Sequence, residues 1–100
     1  MSIGTWAKKD PAEVDTRALD FRLLLEAGET LTGTPTATVT VIAGVDANPS
    51  ALVTAVAIVG TEVRARVAGG VGATYKIKLT TTTSTGRTLV SCAAMAVEAC

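Results

Sequence analysis

The chain has 100 residues, no histidine and two cysteines, and these counts limit the chemistry it can perform. Without imidazole there is no Ser–His or Cys–His pair to activate a nucleophile. Two thiols cannot complete a four-thiolate zinc site. Cys92 and Cys100 stand eight residues apart, a span of about 26 Å on one extended strand. A disulfide needs Cα atoms within roughly 7 Å. The two therefore bond to each other only if the chain folds back after Val97. Otherwise Cys92 is a small core residue and Cys100 a reachable thiol, or either one forms an intermolecular disulfide.

Two further groupings could carry chemistry. Asp10, Glu13, Asp15 and Asp20 cluster in sequence and could hold a hard cation. Their spacing is not that of a calcium loop, and a solvated acidic surface is the better account. Gly69-Gly70-Val71-Gly72 resembles a phosphate cradle, but no Lys-Ser/Thr follows it. The next residues read as a strand rather than a helix N-terminus. A tight hairpin loop fits it better. The residues thus point to a protein that is not an enzyme, with no catalytic, cofactor or metal site.

The elements around these residues are strands. Val, Ile and Thr are abundant, and their stiff side chains suit a pleated surface. Only Trp6, Phe21 and Tyr75 are aromatic, so the core is thin. Residues 1–15 read as an extended arm, since Gly4, Asp10 and Pro11 discourage regular structure and Pro11 holds Asp10 extended. Trp6 in that arm either plugs a pocket on a neighbour or caps the domain's own core. Residues 16–100 form the domain. Thr16 to Leu25 is a strand with an irregularity near Asp20. Leu31 opens a short strand ended by Gly33 and Pro35. In Thr36 to Val41, Ala37, Val39 and Val41 face one way and threonines the other. Ala51 to Val59 reads as strand, although Asn48-Pro49 would also start a helix. Val63, Ala65 and Val67 alternate with Glu62, Arg64 and Arg66. Tyr75, Ile77 and Leu79 alternate with Thr74, Lys76 and Lys78, and the two runs look like a hairpin. A polar loop with a turn at Gly86 precedes the last strand, Leu89 to Val97. Six or seven short strands spaced by about ten residues describe an all-β, antiparallel immunoglobulin-like sandwich. Tyr75 stands where such folds place a tyrosine whose hydroxyl bonds back to the chain.

Nine basic and nine acidic residues cancel, which speaks against sequence-independent nucleic-acid binding. Residues 1–30 hold four basic and six acidic groups, and residues 61–100 five basic and two acidic. Such polarity suits end-to-end meeting of subunits, or simply solvation at both ends. No export signal opens the chain. Ala51 to Val59, the longest apolar stretch, is about half of what a membrane helix needs. Synthesis in the cytoplasm, followed by solubility or assembly, is expected.

Three stretches resemble the tailed-bacteriophage fibre–tail adaptor family. The arm Trp6-Ala7-Lys8-Lys9-Asp10-Pro11-Ala12-Glu13-Val14-Asp15 is similar to that family's opening of an aromatic residue, Lys-Asp-Pro, a Glu and an acidic residue. Asp20-Phe21 matches the Asp-aromatic ending of its first strand. Glu62 to Ile77 resembles its Gly-Gly-x-x-Gly-x-x-Tyr signature, one residue shorter, and Thr83 to Arg87 its Thr-x-x-Gly-Arg turn. Thr16-Arg17 departs from the usual aromatic after the acidic residue, and Cys92 and its neighbouring alanines replace bulkier groups. The resemblance implies an immunoglobulin-like virion structural protein made in the host cytoplasm. It would join fibres or collar proteins to the neck or tail connector, as a homo-oligomeric ring that contacts other virion proteins. A capsid decoration (cement) protein is the alternative, and a carbohydrate-binding module lacks its usual aromatic platform. On the adaptor reading Trp6, Lys8, Lys9, Asp10 and Pro11 form a partner-binding arm. Removing residues 1–12 is then expected to leave the domain folded but unable to enter particles.

Overall fold

In the computed structural model, which describes residues 4–99, the alternating runs become strands of two packed sheets. Seven strands form in chain order: β1 (Gly4–Thr5), β2 (Val14–Asp20), β3 (Leu31–Ala43), β4 (Val53–Val59), β5 (Glu62–Ala68), β6 (Ala73–Thr83) and β7 (Thr88–Val97). Single 3₁₀ turns cover Arg22–Leu24 and Pro49–Leu52. One sheet has the order β1-β7-β6-β3 and the other β2-β5-β4. All pairings are antiparallel except β1 with β7, where Gly4 lies beside Ala93. This division into four and three strands is that of an immunoglobulin-like sandwich.

The period of two sets the core. Val63, Ala65 and Val67 of β5 face Tyr75, Ile77 and Leu79 of β6, and all six are fully buried. Phe21, Leu52, Ala93, Met95 and Val97 complete that layer. Val39 is buried while Thr36, Thr38 and Thr40 stay in solvent, as the alternation over 36–41 requires.

The expected hairpin between Glu62–Val67 and Tyr75–Leu79 does not form. β5 pairs with β2 and β4, whereas β6 pairs with β3 and β7. Gly69 to Gly72 carries the chain from one sheet to the other. Gly70 has φ +93°, and a Cβ there would sit 3.1–3.2 Å from Val97 and Leu52. Only glycine fits such a corner. The hairpin partner of β5 is β4, turning at Gly60 and Thr61.

Four boundaries also differ from expectation. The first long strand begins at Val14 and stops at Asp20, and a 3₁₀ turn replaces its expected continuation to Leu25. Residues 31–43 form one strand, not two. The register slips between Thr32 and Thr36, and because β3 is an edge strand it tolerates Pro35, which has no N–H to give to the ladder. The Thr80–Thr83 run belongs to β6 rather than to a loop. Pro49–Leu52 adopts a single 3₁₀ turn ahead of β4.

Candidate functional site

Within the segment expected as an extended partner-binding arm, residues 6–9 run along the edge of β7. The Trp6 N–H donates to the Ala94 carbonyl and the Lys9 N–H to that of Ala96, both at 2.9 Å, and the Glu98 N–H returns a bond to Lys9. The segment is thus a partial strand on the open edge of β7. Trp6 is 9% exposed and belongs to the core cluster, and its indole Nε1–H donates to the Ala18 carbonyl at 3.1 Å. Of the two readings of Trp6, the structure favours the one in which it caps its own core. Held there, the indole cannot plug a neighbour's pocket.

Lys9 is a second departure. Lys9, expected among the partner-binding residues of the arm, is completely buried. Its ammonium donates to the carbonyls of Asp10 at 2.9 Å and Gly69 at 2.7 Å. Burial pulls its pKa below the ordinary lysine value, while the nearby Glu13 and Asp10 charges oppose that shift. Asp10 and Glu13 close a turn on each other: the Asp10 N–H donates to Glu13 Oε1, and the Glu13 N–H donates to the Asp10 carbonyl. Pro11 is half-buried in that turn. Lys8 remains exposed, 3.7 Å from Glu98.

The Gly-x-x-Tyr part of the second motif builds the same end of the sandwich. The Tyr75 hydroxyl donates to Asp46 Oδ2 at 2.7 Å and accepts the Val71 N–H at 3.0 Å. It bonds back to the chain four residues upstream, as its position at the start of β6 suggests. Burial and the Asp46 carboxylate raise its pKa, and the hydroxyl's hydrogen bond lowers that of Asp46.

The opposite end is locked by a pair that sequence spacing does not signal. The Arg87 guanidinium embraces the Glu29 carboxylate with two donors, one of them at 3.0 Å to Oε2. The Thr83 hydroxyl at 2.6 Å, the Thr85 hydroxyl and the Glu26 N–H at 2.8 Å bond to the same carboxylate. Glu29 has no exposed side-chain surface. The Arg87 bonds hold its carboxyl well below the usual carboxylate range, against the cost of burial. Arg87 also reaches the Leu24 carbonyl at 2.8 Å and Glu26 at 3.1 Å. The Thr-x-x-Gly-Arg turn therefore fastens the β6–β7 connection to the loop before β3. Asp20 does similar work beside it. Its Oδ1 accepts the Arg22 N–H and the Thr61 hydroxyl, both at 2.9 Å, as the chain leaves β2 and sends Phe21 into the core.

The acidic residues do not converge. Asp15 pairs with Arg17 at 2.9 Å, and among the described residues no three His, Cys, Asp or Glu side chains gather where a metal ion could sit. Cys92 is half-buried and unbonded, in register with Lys78 on β6. Cys100 lies outside the described residues.

Four motif residues thus brace the ends of the sandwich: Lys9 and Tyr75 at one, Asp20 and Arg87 at the other. A comparison with curated protein sequences finds no match. The family described as podophage GP4 fiber-tail adaptor protein gp77 matches residues 9–96. That span starts at the buried Lys9 and ends one residue before the close of β7. The chain belongs to the podophage fibre–tail adaptor family.

Proposed function

We propose that this protein joins fibres or collar proteins to the neck or tail connector of a tailed-phage particle, in several copies around the symmetry axis. The observation that carries this reading is the family match over residues 9–96, together with the structural use of its motif residues. Lys9, Asp20, Tyr75 and Arg87 are taken up by bonds that stiffen the two ends of the domain. A stiff block with braced ends suits a part that transmits position between larger components. Of the arm residues, Lys8 is exposed beside Glu98 and would supply one such contact. Ring symmetry would multiply weak contacts through effective concentration.

The test is a phage whose gene for this protein is inactivated. Purified particles should lack fibres or collar, and complementation should restore them. A full fibre complement on particles without the protein would end this reading. Quantitative mass spectrometry of wild-type particles should find a ring's worth of copies, and hundreds per particle would instead indicate a capsid cement protein.

A further inference from the structure

A sheet edge is a row of unpaired N–H and C=O groups, and folded proteins guard such edges with short strands, charges, proline or bulges. The two sheets here have four edges, at β1, β3, β2 and β4. Three are guarded in those ways. β1 is two residues long. β3 carries Pro35 and slips register between Thr32 and Thr36 and again between Val41 and Ala43. β2 carries Asp15, Arg17 and Asp20. β4 has no such guard over residues 55–59. That stretch holds unbroken register with β5, from Ala55 opposite Arg66 to Val59 opposite Glu62, and contains no charge and no proline.

Both faces of that edge are incompletely covered, and no residue of β4 is buried. Val56 and Ile58 pack against the core yet stay half-exposed. On the outer face Ala55, Ala57 and Val59 line a shallow trough of about 240 Å³, bordered by Thr16, Arg64 and Arg66. Arg64 is engaged by Glu62 at 2.9 Å. Arg66 is exposed, and among the described residues its side chain has no ion-pair or hydrogen-bond partner. Asp15, on the strand alongside, is bonded to Arg17 at 2.9 Å. A strand added beyond β4 would lie about 4.8 Å from it and about 9.6 Å from β5. Between that strand and Arg66 stands only Ala55, which is too small to keep a glutamate on the added strand from the guanidinium.

We infer that β4 accepts an added strand from a different protein: an extended segment with apolar residues at alternate positions and a glutamate between two of them. Its backbone pairs with the β4 edge, which supplies affinity through main-chain bonds. Its apolar side chains cover Val56 and Ile58, and its glutamate reaches Arg66 across Ala55. The charge fixes which segment fits and in which register. A second copy of this chain is the poorer occupant, because its own β4 has no carboxylate to offer Arg66. The site is a property of this chain's edge and does not depend on the adaptor reading.

The test is an NMR titration of the isotope-labelled full chain with the end-capped peptide Ser-Val-Glu-Val-Thr-Val-Ser. Peptide up to about 2 mM covers the affinities of small interfaces. Amide signals of β4 and of Arg66 should move, and amide exchange in β4 should slow. A peptide with lysine in place of the glutamate should bind about tenfold more weakly. One with proline in place of the central valine should not bind, since it cannot complete the ladder. Arg66→Glu should reverse the preference, so that the lysine peptide binds more tightly than the glutamate peptide. Circular dichroism establishes that this variant is folded, and Arg66→Ser, which should abolish the preference, replaces it if it is not. No movement at the highest peptide concentration, movement confined to other strands, binding of the proline peptide, or a preference unchanged by the variant would each overturn the inference. So would β4 signals that move with protein concentration alone, which would mean a second copy takes the edge. None of these results bears on whether the protein is needed for fibre attachment, which the particle experiment decides separately.

Discussion

The Lys9 ammonium donates to the carbonyl of Gly69, sixty residues further along the chain, at 2.7 Å. One buried cation thereby ties the N-terminal segment to the corner where the chain changes sheets. Replacing Lys9 with Ala leaves the Gly69 and Asp10 carbonyls without that donor. Orphaned buried polar groups cost about 1–3 kcal/mol. Urea denaturation of Lys9→Ala should show a loss of that order, and a midpoint equal to wild type would remove Lys9 from this role.

Trp6 makes the same segment part of the core. Trp6→Ala should destabilise the domain by about 3 kcal/mol, as other large-to-small aromatic truncations do. Removal of residues 1–12 should lower the melting temperature sharply, whereas an arm that serves only to bind a partner would leave the domain's stability unchanged. A truncated domain that melts with the intact one would show that the arm's contacts contribute nothing.

Tyr75→Phe keeps the ring in the core and deletes only the hydroxyl. The Val71 N–H and the Asp46 carboxylate each lose a partner, so a loss of about 1–3 kcal/mol is expected. The Tyr75 pKa is raised in the fold. Its stabilising contribution is therefore complete below the ordinary tyrosine pKa and is lost as pH rises through the folded value. The wild-type advantage over Tyr75→Phe should shrink in that alkaline range, and a constant difference would argue against the Asp46 bond.

Glu29 sets the acid side. Its carboxyl is held far below the reference value of 4.5, so its contribution is present above that value. It is lost as pH falls below it toward the folded pKa. Melting temperature should fall steadily from about pH 5 downward, and Glu29→Gln should flatten that fall. At neutral pH the same variant, or Arg87→Lys, should melt on the order of 10 °C lower, since a bidentate partner is lost. A Glu29→Gln acid profile parallel to wild type would mean that other carboxylates dominate.

Much of the fold is legible in the sequence because alternation reports burial directly. Val63, Ala65, Val67, Tyr75, Ile77 and Leu79 are all buried as their period of two demands. Alternation does not report which strand lies alongside, and that is why β5 and β6 could be read as a hairpin. Gly69 to Gly72 suits a tight turn and a crossover equally. The bracing pairs are less legible still. Glu29 and Arg87 lie 58 residues apart, and nothing in local spacing joins them. Nothing in the local sequence places Lys9 under the Gly69 carbonyl, sixty residues away.

The parallel pairing of β1 with β7 has a consequence for the timing of synthesis. Gly4 through Lys9 are made well before their partners Ala93 to Val97. At about 5–20 residues per second the early segment waits roughly 5–20 s for a strand to lie against. During that interval the nascent chain carries an unsheltered tryptophan, and β2 lacks the indole that later bonds Ala18. The domain therefore closes only after β7 has been made, and whatever chaperones or co-assembling subunits meet it earlier meet an open sheet edge.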